Sequence, residues 1–173
     1  MDRSLIPSEV EHLYHLLTGK KINVILYDQI INASNLNPFF RHNNSFIIFY
    51  PAVQIQNNIL GHYCSLTRLG NYYYFYDPMG YKPDEYKHFS DRNRMYKEQV
   101  NSLIQHFITS GLHVDYSHHK HQSRNPKIAT CGRHCVLRCV FCGSNDNYDK
   151  RIRKQSGIKQ GFLDNYVYYL TTP

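Results

Sequence analysis

Two aromatic and β-branched runs, residues 62–68 and 72–76, are separated only by Leu69, Gly70 and Asn71, and that leaves the chain few ways to fold. Such runs favour extended strands, and a Gly-Asn turn supplies the positive φ that a tight antiparallel connection needs. The pair reads as a hairpin. A lone hairpin is marginally stable in water, so it has to join a sheet. Residues 45–50, with Phe46, Ile47, Ile48 and Phe49 in unbroken succession, read as a buried strand ending at Pro51. Residues 22–27 and 112–116 read as further short strands.

Helical spacing supplies the cover. Residues 8–18 carry Val10, Leu13, Leu16 and Leu17 behind Ser8, read as the N-cap, and Gly19 closes the segment. Val100, Leu103, Ile104 and Phe107 predict a helix over residues 95–109, followed by Gly111. Residues 131–142 and 157–170 read as two more helices. Residues 32–44 read as a loop or broken helix, and residues 118–126 as a polar, basic loop. A central sheet flanked by helices, an α+β fold in a single domain over residues 1–173, is the economical architecture.

Composition excludes several classes. Hydrophobic residues make up 42% of the chain, with sixteen Tyr and nine Phe, enough for a packed core rather than disorder. No apolar run approaches the ~20 residues that cross a bilayer. Met1, Asp2, Arg3 and Ser4 lead into a polar helical pattern with no apolar signal region, so the chain is expected to be made in the cytosol and not secreted. Of five cysteines, four stand between Cys131 and Cys142. That is a poor disulfide framework, and reduced thiols fit it better. Charge is uneven: residues 1–115 hold ten Lys/Arg and ten Asp/Glu, whereas residues 116–173 hold ten and three. The excess of +7 therefore lies in the last third. It fits either a nucleic-acid partner or a solvated basic face.

One set of residues carries chemistry. Cys131 stands at the mouth of an expected helix, followed by Gly132, where free N–H groups and partial positive charge favour a thiolate. His62 follows Gly61 at a strand start, and Asp77 ends the next strand of the same hairpin. Antiparallel pairing brings the two to one end of the sheet, where the carboxylate can hold one imidazole nitrogen while the other faces the thiol. Gln122, in the loop before the helix, offers a side-chain amide for an oxyanion. A nucleophile, a base, an orienting acid and an oxyanion donor are what acyl transfer through a thiol requires. Each residue alone has a plainer role: a strand histidine, a turn aspartate, a small packing cysteine.

Gly61-His62-Tyr63, then Phe75-Tyr76-Asp77-Pro78-Met79-Gly80-Tyr81, then Gln122, then Thr130-Cys131-Gly132-Arg133 resemble, in that order, the adenovirus-type (adenain-like) maturation cysteine proteases. The nearest likeness is to the virophage, Polinton and giant-virus members, and residues 46–142 carry it. The resemblance implies a mixed sheet flanked by helices, in the fold shared with proteases of ubiquitin-like modifiers. It implies a viral endopeptidase that cleaves capsid precursors after small residues such as glycine, in the virion and the viral factory of the host cytoplasm. Its implied catalytic residues are His62, Asp77, Gln122 and Cys131, with no cofactor or metal; the sequence leaves open whether DNA or a peptide activates the chain. Two positions depart from the family pattern. Tyr63 stands where Trp is frequent, and Gln122 is farther from Cys131 than is usual, which leaves Asn125 as a rival oxyanion donor. Removal of ubiquitin-like modifiers and a non-catalytic basic nucleic-acid module remain the alternative functions.

Other patterns have simpler readings. Cys131, Cys135 and Cys139 fall on one helical stripe, which suits core packing better than a tetrahedral metal site. His118, His119, Lys120 and His121 read as an exposed basic surface rather than a metal site. The tyrosines of residues 72–76 read as sheet residues.

Overall fold

A computed structural model describes residues 3–85 and 102–173. The chain is α+β: an open five-stranded mixed sheet flanked by helices. The strands are β1 (Val24–Leu26), β2 (Ser45–Ile55), β3 (Asn58–Leu69), β4 (Tyr72–Tyr76) and β5 (His113–Tyr116), lying side by side in chain order. Pairing is antiparallel for β2–β3 and β3–β4, and parallel at the two edges, β1–β2 and β4–β5.

The expected hairpin is β3–β4. Leu69 pairs with Tyr72, so Gly70 and Asn71 form the turn, with Gly70 at φ 61°. The strand expected over residues 45–50 is longer than its apolar run. It passes Pro51 at a register irregularity and continues as a ribbon with β3 to a turn at Gln56 and Asn57. A bulge accommodates the missing proline donor there.

The helices are α1 (Pro7–Thr18), α2 (Tyr27–Ile31), α3 (Asn37–Phe40), α4 (Leu103–Thr109), α5 (Cys131–Val140), α6 (Asn145–Ser156) and α7 (Asp164–Thr171). α1 starts one residue before Ser8: Ile6 is the N-cap, Pro7 takes the first helical position, and Glu9 accepts from Ile6 N at 3.0 Å. Of the helix expected over residues 95–109, residues 102–109 are described and 95–101 lie outside the described residues. α6 was not expected. It is strongly polar, with Tyr148 and Ile152 as its buried apolar contacts, and is started by Ser144 accepting from Asn147 N. The helix expected over residues 157–170 shortens to α7.

Strand alternation gives two cores. Ile47, Phe49, Tyr63 and Tyr76 face α1, α5, α6 and α7, where Cys135 and Cys139 are buried among Val10, Val136 and Val167. The cysteine stripe is core, as its spacing suggested. Phe46, Ile48, Tyr50, Cys64, Leu66 and Phe75 face α2, α3 and α4 on the other side. α5 begins against α1 and the sheet, and a side chain on Gly132 would come within 3.0 Å of Val10 and 3.3 Å of Tyr63. Gly132 thus lets the helix start lie close to β3.

Candidate active site

His62 and Asp77 meet at the end of the two central strands. Ser65 pairs with Tyr76; one step further, Cys64 stands opposite Asp77 and His62 lies diagonally across, within reach of a long side chain. His62 Nε2 is 2.8 Å from Asp77 Oδ1. Asp77 is fully buried and also accepts from Met79 N at 2.9 Å and Tyr81 N at 3.2 Å. The turn after Asp77 thereby aims the Met79 and Tyr81 N–H groups at the carboxylate, which fixes its orientation toward the imidazole. Burial opposes protonation of His62, but the Asp77 charge and the hydrogen bonds from Asp77 and Cys131 outweigh it and raise its pKa well above the ordinary value.

Cys131 is the first residue of α5, and Cys131 Sγ lies 4.0 Å from Gly61 O, directly beside His62. Nε2 is committed to Asp77, and the Cys131 thiol is among the groups hydrogen-bonded to the imidazole. The Cys131 N–H, in the first turn of a helix, has no intrahelical acceptor.

Gln122 is buried, and its N–H donates to Pro78 O at 2.9 Å, which docks it behind Asp77. Gln122 Nε2 donates to Ile128 O at a long 3.4 Å, and Oε1 is buried without a hydrogen-bond partner among the described residues. No hydrogen bond joins Gln122 to Cys131 there. Asn125 is exposed, and its Oδ1 accepts from Lys127 N at 3.0 Å, a local turn contact. Of the two rival donors, Gln122 is the one folded into the interior.

The sequence reading missed Cys64. Its Sγ, an atom of Asp77 and an atom of His62 lie within 4.8 Å of one another, the one such His/Cys/Asp group among the described residues. Two-residue spacing from His62 on a strand was the available signal. Burial and the neighbouring Asp77 charge push the Cys64 thiol up to about 12, so it stays protonated beside the imidazole. The Asp77 oxygens already accept from His62 and two backbone donors, which suits an orienting carboxylate better than a metal ligand.

No family model, curated protein or solved structure matches this chain.

The histidine-rich loop is corrected in part. His121 is fully buried, with Nδ1 2.9 Å from the Tyr76 hydroxyl and Nε2 2.7 Å from Asp149 Oδ1. His119 Nε2 lies 2.8 Å from Asp146 Oδ1. Both carboxylates come from α6, the helix that the sequence reading missed. Burial lowers the pKa of His121 to about 4, against the pull of Asp149, and burial also lowers that of His134. An unfolded histidine titrates near ~6.5. As pH falls from about 6.5 to 4, the unfolded chain therefore takes up protons that the native chain refuses, and native stability falls. His121 alone accounts for on the order of 3 kcal/mol over that window. The urea midpoint is expected to drop steadily on acidification from pH 6.5; a flat midpoint down to pH 4 contradicts it. The raised His62 acts oppositely, with stability lost as pH rises from ~6.5 through its folded pKa.

Proposed function

We propose that this chain is a thiol endopeptidase acting through an acyl-enzyme, with Cys131 as nucleophile, His62 as base and acid, and Asp77 as the orienting carboxylate. The observation that carries the reading is the buried 2.8 Å His62–Asp77 pair set beside a cysteine at a helix start. His62 holds the proton shared with the thiol, and the sulfur attacks the scissile carbonyl carbon. The carbonyl oxygen gains the charge and is met by the Cys131 N–H and the Gln122 amide. The C–N bond breaks as His62 returns its proton to the leaving amine. Water, deprotonated by the same imidazole, then releases the acyl group. Proximity of Cys131 to the Gly61 backbone favours a narrow approach and substrates with small residues beside the bond.

The sequence likeness to adenovirus-type maturation proteases gives this reading its substrate class, capsid precursors in a virion. The test is direct. Purified chain is incubated with its capsid precursor and, separately, with ubiquitin-like-modifier conjugates, and products are mapped by mass spectrometry. Cleavage of the precursor after glycine or another small residue supports the proposal. Cleavage of conjugates alone moves the activity to the alternative, and no cleavage of either overturns the enzyme reading.

A basic face for DNA belongs to the same proposal. Lys150, Arg151 and Lys154 are exposed on α6, whereas Arg153 folds back onto Asp149 Oδ1 at 2.9 Å and Gly161 O at 3.2 Å. Three cations rather than four thus face solvent. Neutralising those three is expected to flatten the log–log salt dependence of duplex binding by roughly two to three units. Fluorescence anisotropy reads it, and no binding at low salt removes DNA from the proposal.

A further inference from the structure

We propose that Asp164 is a positioning residue for the oxyanion site, one carboxylate that ties together both ends of the segment between Gln122 and Cys131. The inference rests on the thiol-protease reading. Asp164 opens α7 and is 5% exposed. Its Oδ2 accepts from Ser123 N at 2.9 Å, and Ser123 directly follows Gln122. Its Oδ1 accepts from the Thr130 hydroxyl at 2.6 Å, and Thr130 directly precedes Cys131. The same oxygen lies 3.0 Å from Nε2 of His134, one turn into the helix that begins with Cys131. Next to it, Leu163 N donates to His121 O at 2.7 Å, on the other side of Gln122.

Residues 124–127, between the two tied ends, are exposed. They are not held by core packing, so, beyond the Gln122 N–H bond to Pro78 O, the separation between the Gln122 amide and the Cys131 N–H depends on what fixes Ser123 and Thr130. Both meet at one anchored anion. Thr130 and His134 are fully buried, so their bonds to that anion are shielded from water and strong. Hydrogen bonds from His134, Thr130 and Ser123 together outweigh burial and hold the carboxyl below its usual range, so it remains an acceptor for all three donors at neutral pH. Oxyanion stabilisation is sharply geometric, and a displacement of about 1 Å costs on the order of a hundredfold in rate.

The test uses Asp164→Ala, Thr130→Val and Thr130→Ser in a Cys142→Ser background, which removes the exposed competing thiol. Two rates are read. Cleavage of a fluorogenic peptide with glycine before the scissile bond needs the oxyanion site. Alkylation of Cys131 by iodoacetamide needs the thiol and His62 but no oxyanion donor. Asp164→Ala is expected to lower kcat about a hundredfold with KM nearly constant and alkylation within about twofold. Thr130→Val, which keeps the side-chain shape, is expected to lower kcat about tenfold, and Thr130→Ser to restore it. A kcat per folded molecule that is unchanged in both Asp164→Ala and Thr130→Val, with only the melting temperature lowered, overturns the proposal and leaves Asp164 a fold residue. Alkylation falling in step with kcat also overturns it, since the nucleophile itself would then be displaced. A background chain that alkylates at Cys131 but cleaves no peptide sinks the protease reading, and this inference with it.

Discussion

Cys131→Ala is expected to abolish peptide cleavage and leave the fold intact. The side chain sits at the margin of the core, 5% exposed, at the first position of α5, where removal of a sulfur leaves a small gap and ends one hydrogen bond to His62. His62→Ala is expected to cost about 10²- to 10⁴-fold in kcat, because a positioned base accounts for rate factors of that order. Asp77→Asn is expected to lose less rate, since the amide oxygen can still meet His62 Nε2. Its amide nitrogen would then oppose the Tyr81 N–H that Asp77 Oδ2 now accepts, so this variant should also melt earlier. Burst-phase kinetics and thermal melts on the three variants check these expectations together. Cleavage surviving in Cys131→Ala, or alkylation that silences the chain at Cys64 or Cys142 with Cys131 untouched, would assign the nucleophile elsewhere.

Gly61→Ala is the substitution outside the reacting groups with the largest expected effect. A Cβ at this position would stand 1.9 Å from Tyr50 O and 2.9 Å from the Phe49 ring. The first neighbour is backbone, on the strand paired with Gly61 at Pro51, and cannot turn aside as a flexible side chain can. Strand β3 must move away from β2 next to His62. The expected cost is about 3 kcal/mol, at the top of the range for overpacking, or a melting point lower by ~6–12 °C in a chain of this size. Activity should fall further than stability does, since the moved residue carries the imidazole. A melt within about 2 °C of wild type would show that the ribbon absorbs the methyl group.

What the sequence made legible is what short-range patterning controls. The β3–β4 hairpin follows from a Gly-Asn turn between two runs, and once it exists, antiparallel register alone brings His62 and Asp77 to one end. Cys131 at a helix start follows from the spacing of α5. Long-range polar contacts left no such pattern. α6 is too polar for hydrophobic periodicity to mark it, yet it brings Asp146 and Asp149 to the histidine loop. The loop therefore read as exposed, although His121 is fully buried. Asp164 fell inside the helix expected over residues 157–170 with nothing to mark it, because Ser123, Thr130 and His134 are close to it only in space. Ser8 read as an N-cap because side-chain capping is the common case; Pro7 and Glu9 start α1 without one.

Sheet order follows chain order, and that has a consequence for how the molecule comes to be folded. β2, β3 and β4 are a continuous meander joined by two tight turns, so their pairing closes only short loops and can form early. The His62–Asp77 pair lies within that meander. Cys131 reaches it only after the long parallel crossover from β4 to β5 and the docking of α5. The proposed base and its orienting acid would thus assemble before the proposed nucleophile arrives. Conservative truncations in β3 should slow refolding, whereas truncations at Val136 on α5 should chiefly speed unfolding. Stopped-flow chevrons distinguish this order from its reverse.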